Sequence, residues 1–344
     1  MRIGLMSFAH LHAASYARLL RALPGVAVVA ADPDHGRRPG ETGGESLAGT
    51  LGVPYVADYE TLLAARPDGV IVCAENAEHR RLTEMAARAG AHVLCEKPIA
   101  TTLADAEAMT TACAEAGVQL MIAHPVRFAP AFTALRATVA GGGLGEIVGV
   151  AGTNNGRLPG GDRAWFVDPV AAGGGALTDH LVHVLDLIDS LWPGSRVRSV
   201  YAVANRVLHP EVAVETGGLA ALRLELAPGE GGRQVPVTID ASWSRPDGYP
   251  TWGGLTLRVI GAGGIADLDP FALRVGGHLS TTGSAAWIPY GPDLDALLLD
   301  SFLDVVAGLV PAAPDGAAGA RGLAVVLAAY ESVRTGQPVA PRLQ

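Results

Sequence analysis

Apolar and polar positions follow two different rhythms along this chain. Up to about residue 123, short apolar runs alternate with segments of helical period. Arg2–Met6, Val26–Ala31, Gly69–Cys73, His92–Cys95 and Val118–Ile122 read as strands. Between them, Leu11–Leu23, Tyr59–Ala65 after the capping Asp58, Glu78–Ala89, and a segment opened by Thr102 with Asp105 three residues on read as helices. Continuous apolar runs of this kind suit strands buried on both faces, and their alternation with helices predicts a doubly wound parallel sheet. The glycine-rich, polar stretch Gly36–Thr50 reads as a loop after the second strand, placed to lie over a bound ligand.

Past His124 the rhythm changes. Phe132–Val139 has a helical pattern, Ile147–Thr153 a strand pattern, and Ala176–Leu191 the pattern of a long amphipathic helix. Ser199–Ala204, Gly218–Leu226, Val235–Trp243, Leu255–Ile260 and Ile265–Leu268 follow as strand candidates, before helical patterns return at Leu294–Ala307 and Ala320–Val333. A run of strands after a helix predicts an α+β domain with a large, open, mostly antiparallel sheet. The expected division is a dinucleotide-type domain over residues 1–123 and a substrate-binding and oligomerisation domain over 124–344. Gly217-Gly218, Gly229–Gly232 and Gly261–Gly264 read as turns, and Pro311–Pro314 as a linker.

Composition narrows the classes. With 344 residues, 49% of them apolar and 17% charged, the chain has enough apolar surface for two cores. No apolar run approaches the roughly 20 residues that cross a bilayer, and Arg2–Met6 starts as a strand without a signal-type apolar stretch. A cytoplasmic protein is expected. Cys73, Cys95 and Cys113 are scattered in apolar or helical patterns and read as small core residues of a reduced protein. A net charge of -9 without any basic run argues against nucleic acid and anionic membranes as partners, leaving a small molecule.

Five places carry candidate chemistry. Glu96-Lys97-Pro98 puts a lysine at a strand's carboxyl end, the edge of a parallel sheet where ligands bind; its alternative is a surface lysine in a loop. The first strand-to-helix turn is Ser7-Phe8-Ala9-His10-Leu11-His12, where small residues occupy two of the three positions that glycines hold in a dinucleotide turn. His10 and His12 suit contact with phosphate or substrate as well as they suit a helix start. Asp32, closing the second strand, is placed to accept the two hydroxyls of an adenosine ribose, although Asp32-Pro33-Asp34 is also an ordinary turn sequence. Arg37 and Arg38 keep a 2′-phosphate open, with NAD favoured over NADP. Asn76, in Ala74-Glu75-Asn76-Ala77-Glu78-His79, serves either as a helix cap or as a cofactor contact.

The fifth place is Gly173-Gly174-Gly175-Ala176-Leu177-Thr178-Asp179-His180-Leu181-Val182-His183. On a helix Asp179 and His183 share one face with Asp186 and Ser190, opposite an apolar stripe of Leu177, Leu181, Val184, Leu185 and Ile188. That face is either solvated or turned into a cleft where Asp179 orients His183 as a general base. The three glycines point to close packing against a ligand. Asp179, His180 and His183, with His10 and His12, are adequate metal ligands, but their spacing forms no single compact shell and no metal is expected.

The order and spacing of these pieces resemble the Gfo/Idh/MocA oxidoreductases over nearly the full length. The resemblance rests on Asp32, Glu96-Lys97-Pro98, Ala74 to His79 in place of a Thr-Pro-Asn-x-x-His motif, His124-Pro125-Val126-Arg127-Phe128, Trp165, and the glycines leading to Asp179 and His183. It implies a Rossmann domain followed by a substrate domain, and NAD(P)-dependent hydride transfer to or from a sugar, polyol or cyclitol carbinol. It implies catalysis by Lys97, Asp179 and His183; cofactor contacts from Ser7, Phe8, Ala9, His10, Leu11, Asp32, Ala74, Asn76, His79, Glu96, Lys97 and Arg127; and substrate contacts from Lys97, His124, Arg163, Trp165, Asp179 and His183. A homodimer or homotetramer is the implied assembly. The glycine-poor first turn departs from the family pattern. It keeps two alternatives in view: a member that uses tightly held NAD for transient oxidation in epimerisation or glycoside cleavage, and a non-catalytic NAD- or sugar-sensing regulator.

Overall fold

The computed structural model describes residues 1–159, 163–227, 233–281 and 284–342, so the turn expected at Gly229–Gly232 lies outside the described residues. In chain order the elements are β1 (Arg2–Met6), α1 (His12–Ala22), β2 (Ala27–Ala31), α2 (Gly44–Leu51), α3 (Tyr59–Ala64), β3 (Gly69–Val72), α4 (His79–Arg88) and β4 (His92–Cys95). Next come α5 (Leu103–Glu115), β5 (Leu120–Ile122), α6 (Pro130–Ala140), β6 (Ile147–Gly156), α7 (Ala176–Leu191), β7 (Arg196–Asn205), β8 (Gly217–Glu225) and β9 (Gln234–Ser242). The last are β10 (Gly253–Gly261), β11 (Gly264–Leu268), β12 (Arg274–Leu279), β13 (Ser284–Pro289), α8 (Leu294–Val306) and α9 (Gly316–Thr335).

The chain forms two compact units. The first comprises Met1–Pro125, Pro159–Gly173 and Leu294–Leu323, and the second Val126–Leu158, Gly174–Asp293 and Ala324–Gln344. The first unit is built on a five-stranded sheet of order β2-β1-β3-β4-β5, parallel throughout. Its central residues, including Ile3, Leu5, Val70, Ile71, Val93 and Leu94, are fully buried, as continuous apolar runs covered on both faces require. The strand order reverses between β1 and β3, so the carboxyl ends of these strands open the crevice in which such sheets bind ligands. Thr102 caps α5 by accepting from the Asp105 amide, and Asp58 caps α3 by accepting from the Thr61 amide.

Two local expectations change. Part of the stretch expected as a loop, Gly36–Thr50, is helical: α2 runs from Gly44 and buries Ala48 and Leu51 at helical spacing. A glycine pair masked its start. Gly217 and Gly218, expected as a turn, open β8 instead.

The second unit holds a six-stranded sheet of order β11-β10-β6-β9-β8-β7, antiparallel except for the parallel pairing of β6 with β9. Alternate residues such as Leu222, Val237, Ile239, Leu257 and Val259 are buried. On this face lies α7, and glycines in the strands let it approach: a Cβ at Gly152 would stand 2.5 Å from Val184, and one at Gly218 2.6 Å from Leu177. The alternate positions Val148, Tyr201, Val203 and Leu219 are exposed. The hairpin β12–β13 gave no readable alternation in the sequence. Among the described residues no helix is long and apolar enough to cross a membrane.

Candidate functional site

In the first unit the candidate residues collect at the carboxyl ends of the strands. Ser7, directly after β1, has a φ of 73°, the left-handed conformation that the glycine of a dinucleotide turn supplies without strain. A non-glycine residue there costs about 1–2 kcal/mol, which two hydrogen bonds offset. Ser7 Oγ accepts from the Ala9 amide at 3.2 Å and donates to Asp32 Oδ1 at 3.1 Å. The serine thus reproduces the turn and joins it to the carboxylate at the end of β2.

Asp32 is buried. Its Oδ1 also accepts from Arg38 Nη2 at 2.8 Å, and Oδ2 from the Gly44 amide at 3.0 Å. Arg38 is buried among three carboxylates, facing Glu41 and Glu75 at 3.2 Å each in addition to Asp32. Burial opposes its charge, but Asp32 and Glu75 outweigh that and raise the guanidinium pKa. Arg37 stays largely exposed beside Asp34.

The segment from Arg163 to Gly173 packs on the same turn. Trp165 Nε1 donates to Ala9 O at 3.0 Å, and Trp165 stacks on Phe166 with ring centroids 3.9 Å apart. Asn76 Nδ2 donates to Ala172 O at 2.8 Å, the Ala77 amide to Ala171 O at 3.0 Å, and Arg163 Nη1 to Thr42 O at 3.3 Å. Arg163 and Trp165, expected at substrate, are therefore fastened to the first turn and the α2 approach. Asn76 caps no helix; its side chain spans to Ala172, and its Oδ1 is buried with no hydrogen-bond partner.

Lys97 follows β4 and is 5% exposed. Its loop is held from both sides. His79, fully buried, faces Pro98 O at 2.9 Å through Nδ1 and Ala74 O at 3.2 Å through Nε2, which ties the loop to the end of β3. Burial lowers the His79 pKa, against the opposing pull of the Pro98 and Ala74 carbonyls. His79 and Ala74, expected as cofactor contacts, are thereby engaged with each other.

Glu96, also fully buried, gathers the turn. Its Oε1 lies 3.0 Å from His12 Nδ1 and 3.6 Å from His10 Nδ1, and accepts from Tyr16 Oη at 2.8 Å. Burial alone would raise the Glu96 pKa, but His10, His12 and Lys97 hold it well below the carboxylate range. Burial alone would lower the His12 pKa, but Glu96 outweighs it and the imidazole titrates above its ordinary value. Phe8 is buried and Leu11 exposed in this turn, and His124, just past β5, is buried.

In the second unit α7 is buried almost all round. Asp179, Asp186 and Ser190 are under one-tenth exposed, so the polar face is no solvated surface. Asp179 Oδ2 accepts from Trp243 Nε1 at 3.0 Å and faces His180 Nε2 at 3.1 Å. His180 Nδ1 is buried without a hydrogen-bond partner. His183 lies one turn beyond Asp179 on α7 and is partly exposed. Asp186 receives Arg127 through Nε at 3.0 and 3.1 Å and through Nη2 at 2.6 Å, so Arg127, expected at the cofactor, is committed to α7.

The start of α7 corrects the reading of its glycines. A Cβ at Gly174 would stand 2.0 Å from Tyr330 Oη, and one at Gly175 2.1 Å from Glu215 O. They make room for the protein's own Tyr330 and Glu215. Glu215 Oε1 accepts from the Gly175 and Leu177 amides at 3.1 and 2.9 Å and from Tyr330 Oη at 2.7 Å, satisfying the open amides of the helix start. Burial raises the Glu215 pKa. Glu215, Tyr330 and Trp243 escaped the sequence reading because nothing near them in the chain marks their partners.

A left-handed residue in the first turn, a buried carboxylate closing β2 and the orphaned acceptor of Asn76 fit a bound dinucleotide, and define a Rossmann-type nucleotide-binding unit. Residues 3–124 match the oxidoreductase family described as NAD-binding Rossmann fold, and residues 132–267 match the GFO/IDH/MocA C-terminal domain. The chain belongs to the Gfo/Idh/MocA oxidoreductase family. It is 35% identical over 158 residues to 1,5-anhydro-D-fructose reductase of Ensifer adhaerens, covering 46% of this chain and 47% of that protein. It is 38% identical over 143 residues to D-glucoside 3-dehydrogenase of Escherichia coli, covering 41% and 40%. Each of these relatives is matched over less than half of its length. The crystal structure of GenD2 from gentamicin A biosynthesis, in complex with NAD, superposes with a TM-score of 0.85 at 24% identity, covering 99% of this chain and 96% of that one.

Proposed function

We propose that this chain is an NAD-dependent oxidoreductase acting on a carbinol of a sugar, polyol or cyclitol, with Lys97, Asp179 and His183 handling the proton. The observation that carries the reading is Lys97, a buried lysine fixed at a strand's carboxyl end by Glu96 and His79, in the unit whose first turn and Asp32 fit a dinucleotide. NAD bound at that turn supplies the hydride acceptor. As the carbinol C–H leaves as hydride, its O–H proton passes to an imidazole nitrogen of His183, and the carbonyl forms. Asp179, anchored by Trp243, stabilises the imidazolium. Lys97 hydrogen-bonds the reacting oxygen.

The carboxylates of Asp32, Glu41 and Glu75 outnumber Arg38 at the ribose position, which favours NAD over a cofactor with a 2′-phosphate. The carbohydrate names of the related reductase and dehydrogenase support the substrate class. The exposed sheet face around Tyr201, Val203 and Leu219 supports a homodimer or homotetramer. A screen of sugars, inositols and their phosphates with NAD and NADP tests the proposal. Steady NADH accumulation with at least one polyol is expected, and none with any of them overturns it.

One observation favours a second reading, in which NAD is held tightly and reduced only transiently. Four hydrogen bonds fasten the 163–173 segment to Ala9 of the first turn, to Asn76 and Ala77, and to Thr42. Purified protein carrying stoichiometric NAD or NADH, without net NADH release during turnover, would favour it.

A further inference from the structure

The pocket between the first turn and the end of β4 has a donor set that dinucleotide binding does not require. One ring nitrogen each of His10 and His12 and a Glu96 oxygen all lie within 4.8 Å of one another, inside the first unit. Two imidazole nitrogens and one carboxylate oxygen are the ligand set that borderline transition metals such as zinc prefer. Ligand atoms on a tetrahedral zinc ion, with bonds of about 2.0–2.1 Å, stand about 3.4 Å apart. The His12 and His10 nitrogens stand 3.0 and 3.6 Å from Glu96 Oε1, on either side of that value.

The surroundings suit a bound cation. Tyr16 Oη donates to Glu96 Oε1 at 2.8 Å and the Lys97 amide faces Oε2 at 3.3 Å, which orients the carboxylate as outer-shell partners of metal ligands do. The rings of Phe166 and Trp165 stand 5.5 and 6.4 Å from His10 and form an apolar wall. Asp295, in α8, acts electrostatically on His12 as a second negative charge, against the single positive charge of Lys97. His12 is 31% exposed in its side chain, leaving an entry path, whereas Glu96 is fully enclosed. A bound ion replaces two contacts, His12 Nδ1 with Glu96 Oε1 at 3.0 Å and the longer one from the His12 amide to His10 Nδ1 at 3.3 Å, and ligates the same atoms in their place.

We propose that His10, His12 and Glu96 bind one divalent transition-metal ion of the zinc type, with an open fourth position toward solvent. The ion cross-links the β1–α1 turn to the end of β4, across 84 residues of chain. It thereby fixes a turn whose glycines are replaced. Sequence spacing could not reveal the set, because a His-x-His pair and a distant glutamate form no metal motif until β1 and β4 are brought into one sheet. The site stands independently of the proposed dehydrogenase activity.

The test uses the tag-free, full-length protein, stripped with a chelator and titrated with Zn²⁺ by competition and with Co²⁺ by visible absorption. One equivalent per chain is expected, with a melting temperature that rises on addition of Zn²⁺. Loss of one metal-binding side chain in H12A should weaken affinity by roughly 100-fold or more, and E96Q should do the same, while H278A on the exposed β12 strand should bind as the wild type does. Because E96Q alters a buried site, H12A, at a partly exposed position, keeps the test independent of folding. Less than about one-tenth of an equivalent bound by the wild type, or wild-type affinity in H12A, overturns the proposal.

Discussion

Trp243→Phe isolates the anchoring of Asp179. Trp243 is 1% exposed, Asp179 is 6% exposed, and the indole donates to Asp179 Oδ2 across 3.0 Å. Phenylalanine keeps most of the apolar contact but removes the donor, leaving His180 Nε2 at 3.1 Å on the same oxygen. A hydrogen bond to a buried charged group contributes roughly 1.5–3 kcal/mol, and the void left by the smaller ring costs about 1–2 kcal/mol more. The expected destabilisation is therefore about 2.5–5 kcal/mol. A double-mutant cycle with Asp179→Ala, read by urea unfolding, separates the two contributions, since only the hydrogen bond is shared between the partners. A coupling of about 1.5–3 kcal/mol is expected, with a fall in the single-turnover rate of roughly 10-fold or more in Trp243→Phe as the carboxylate loses its fixed orientation. Coupling within about 0.5 kcal/mol of zero, together with an unchanged rate, would refute the anchoring.

Three further outcomes follow from the geometry. Gly175→Ala should destabilise the protein by about 3 kcal/mol or more in thermal or urea unfolding, since the new methyl group meets the Glu215 carbonyl at 2.1 Å; a loss under about 1 kcal/mol contradicts the packing. The raised His12 pKa gives stability that is complete below the ordinary imidazole range and lost as pH climbs through the raised value, while the lowered Glu96 pKa gives stability lost only as pH falls below the carboxylate range. The stability gap between wild type and His12→Ala, followed by denaturation of chelator-stripped protein across pH, should thus be largest near about pH 5.5 and shrink toward about pH 9, and a constant gap would count against the pair. Replacing Glu41 and Glu75 together by glutamine removes two of the three carboxylates around Arg38 and leaves its charge less neutralised toward a 2′-phosphate, so the ratio of kcat/KM for NAD over NADP should fall by roughly 10-fold or more, and an unchanged ratio rejects the carboxylate cage as the source of preference.

What the sequence disclosed follows from what local patterns encode. The strands of the first sheet were legible because burial on both faces leaves an uninterrupted apolar run, and the bounds of α7 because its glycines precede a clean helical period. Helix α2 was obscured by its glycine pair, and hairpin β12–β13 by residues that stay largely exposed and so need not alternate. Lys97 at a sheet edge and Asp32 at a strand end could be read as candidates because strand ends are locally marked. Their surroundings could not, since the partners of a buried polar group come from wherever the fold delivers them. Asp179 is met by Trp243, Glu96 by His12 and Tyr16, Arg127 by Asp186, and the α7 glycines by Glu215 and Tyr330. The same holds for Trp165, whose place against Ala9 is set by a contact 156 residues away.

Lys97 and His183 are proposed to act on the proton of a carbinol oxidised by NAD. Single-turnover hydride transfer, followed as NADH formation with the best substrate from the screen, tests it most directly in Lys97→Ala and His183→Ala proteins shown by circular dichroism to be folded. The account predicts that both variants lose roughly 100-fold or more of the wild-type rate while NAD binding stays within a few-fold. Wild-type rates in both variants would contradict it.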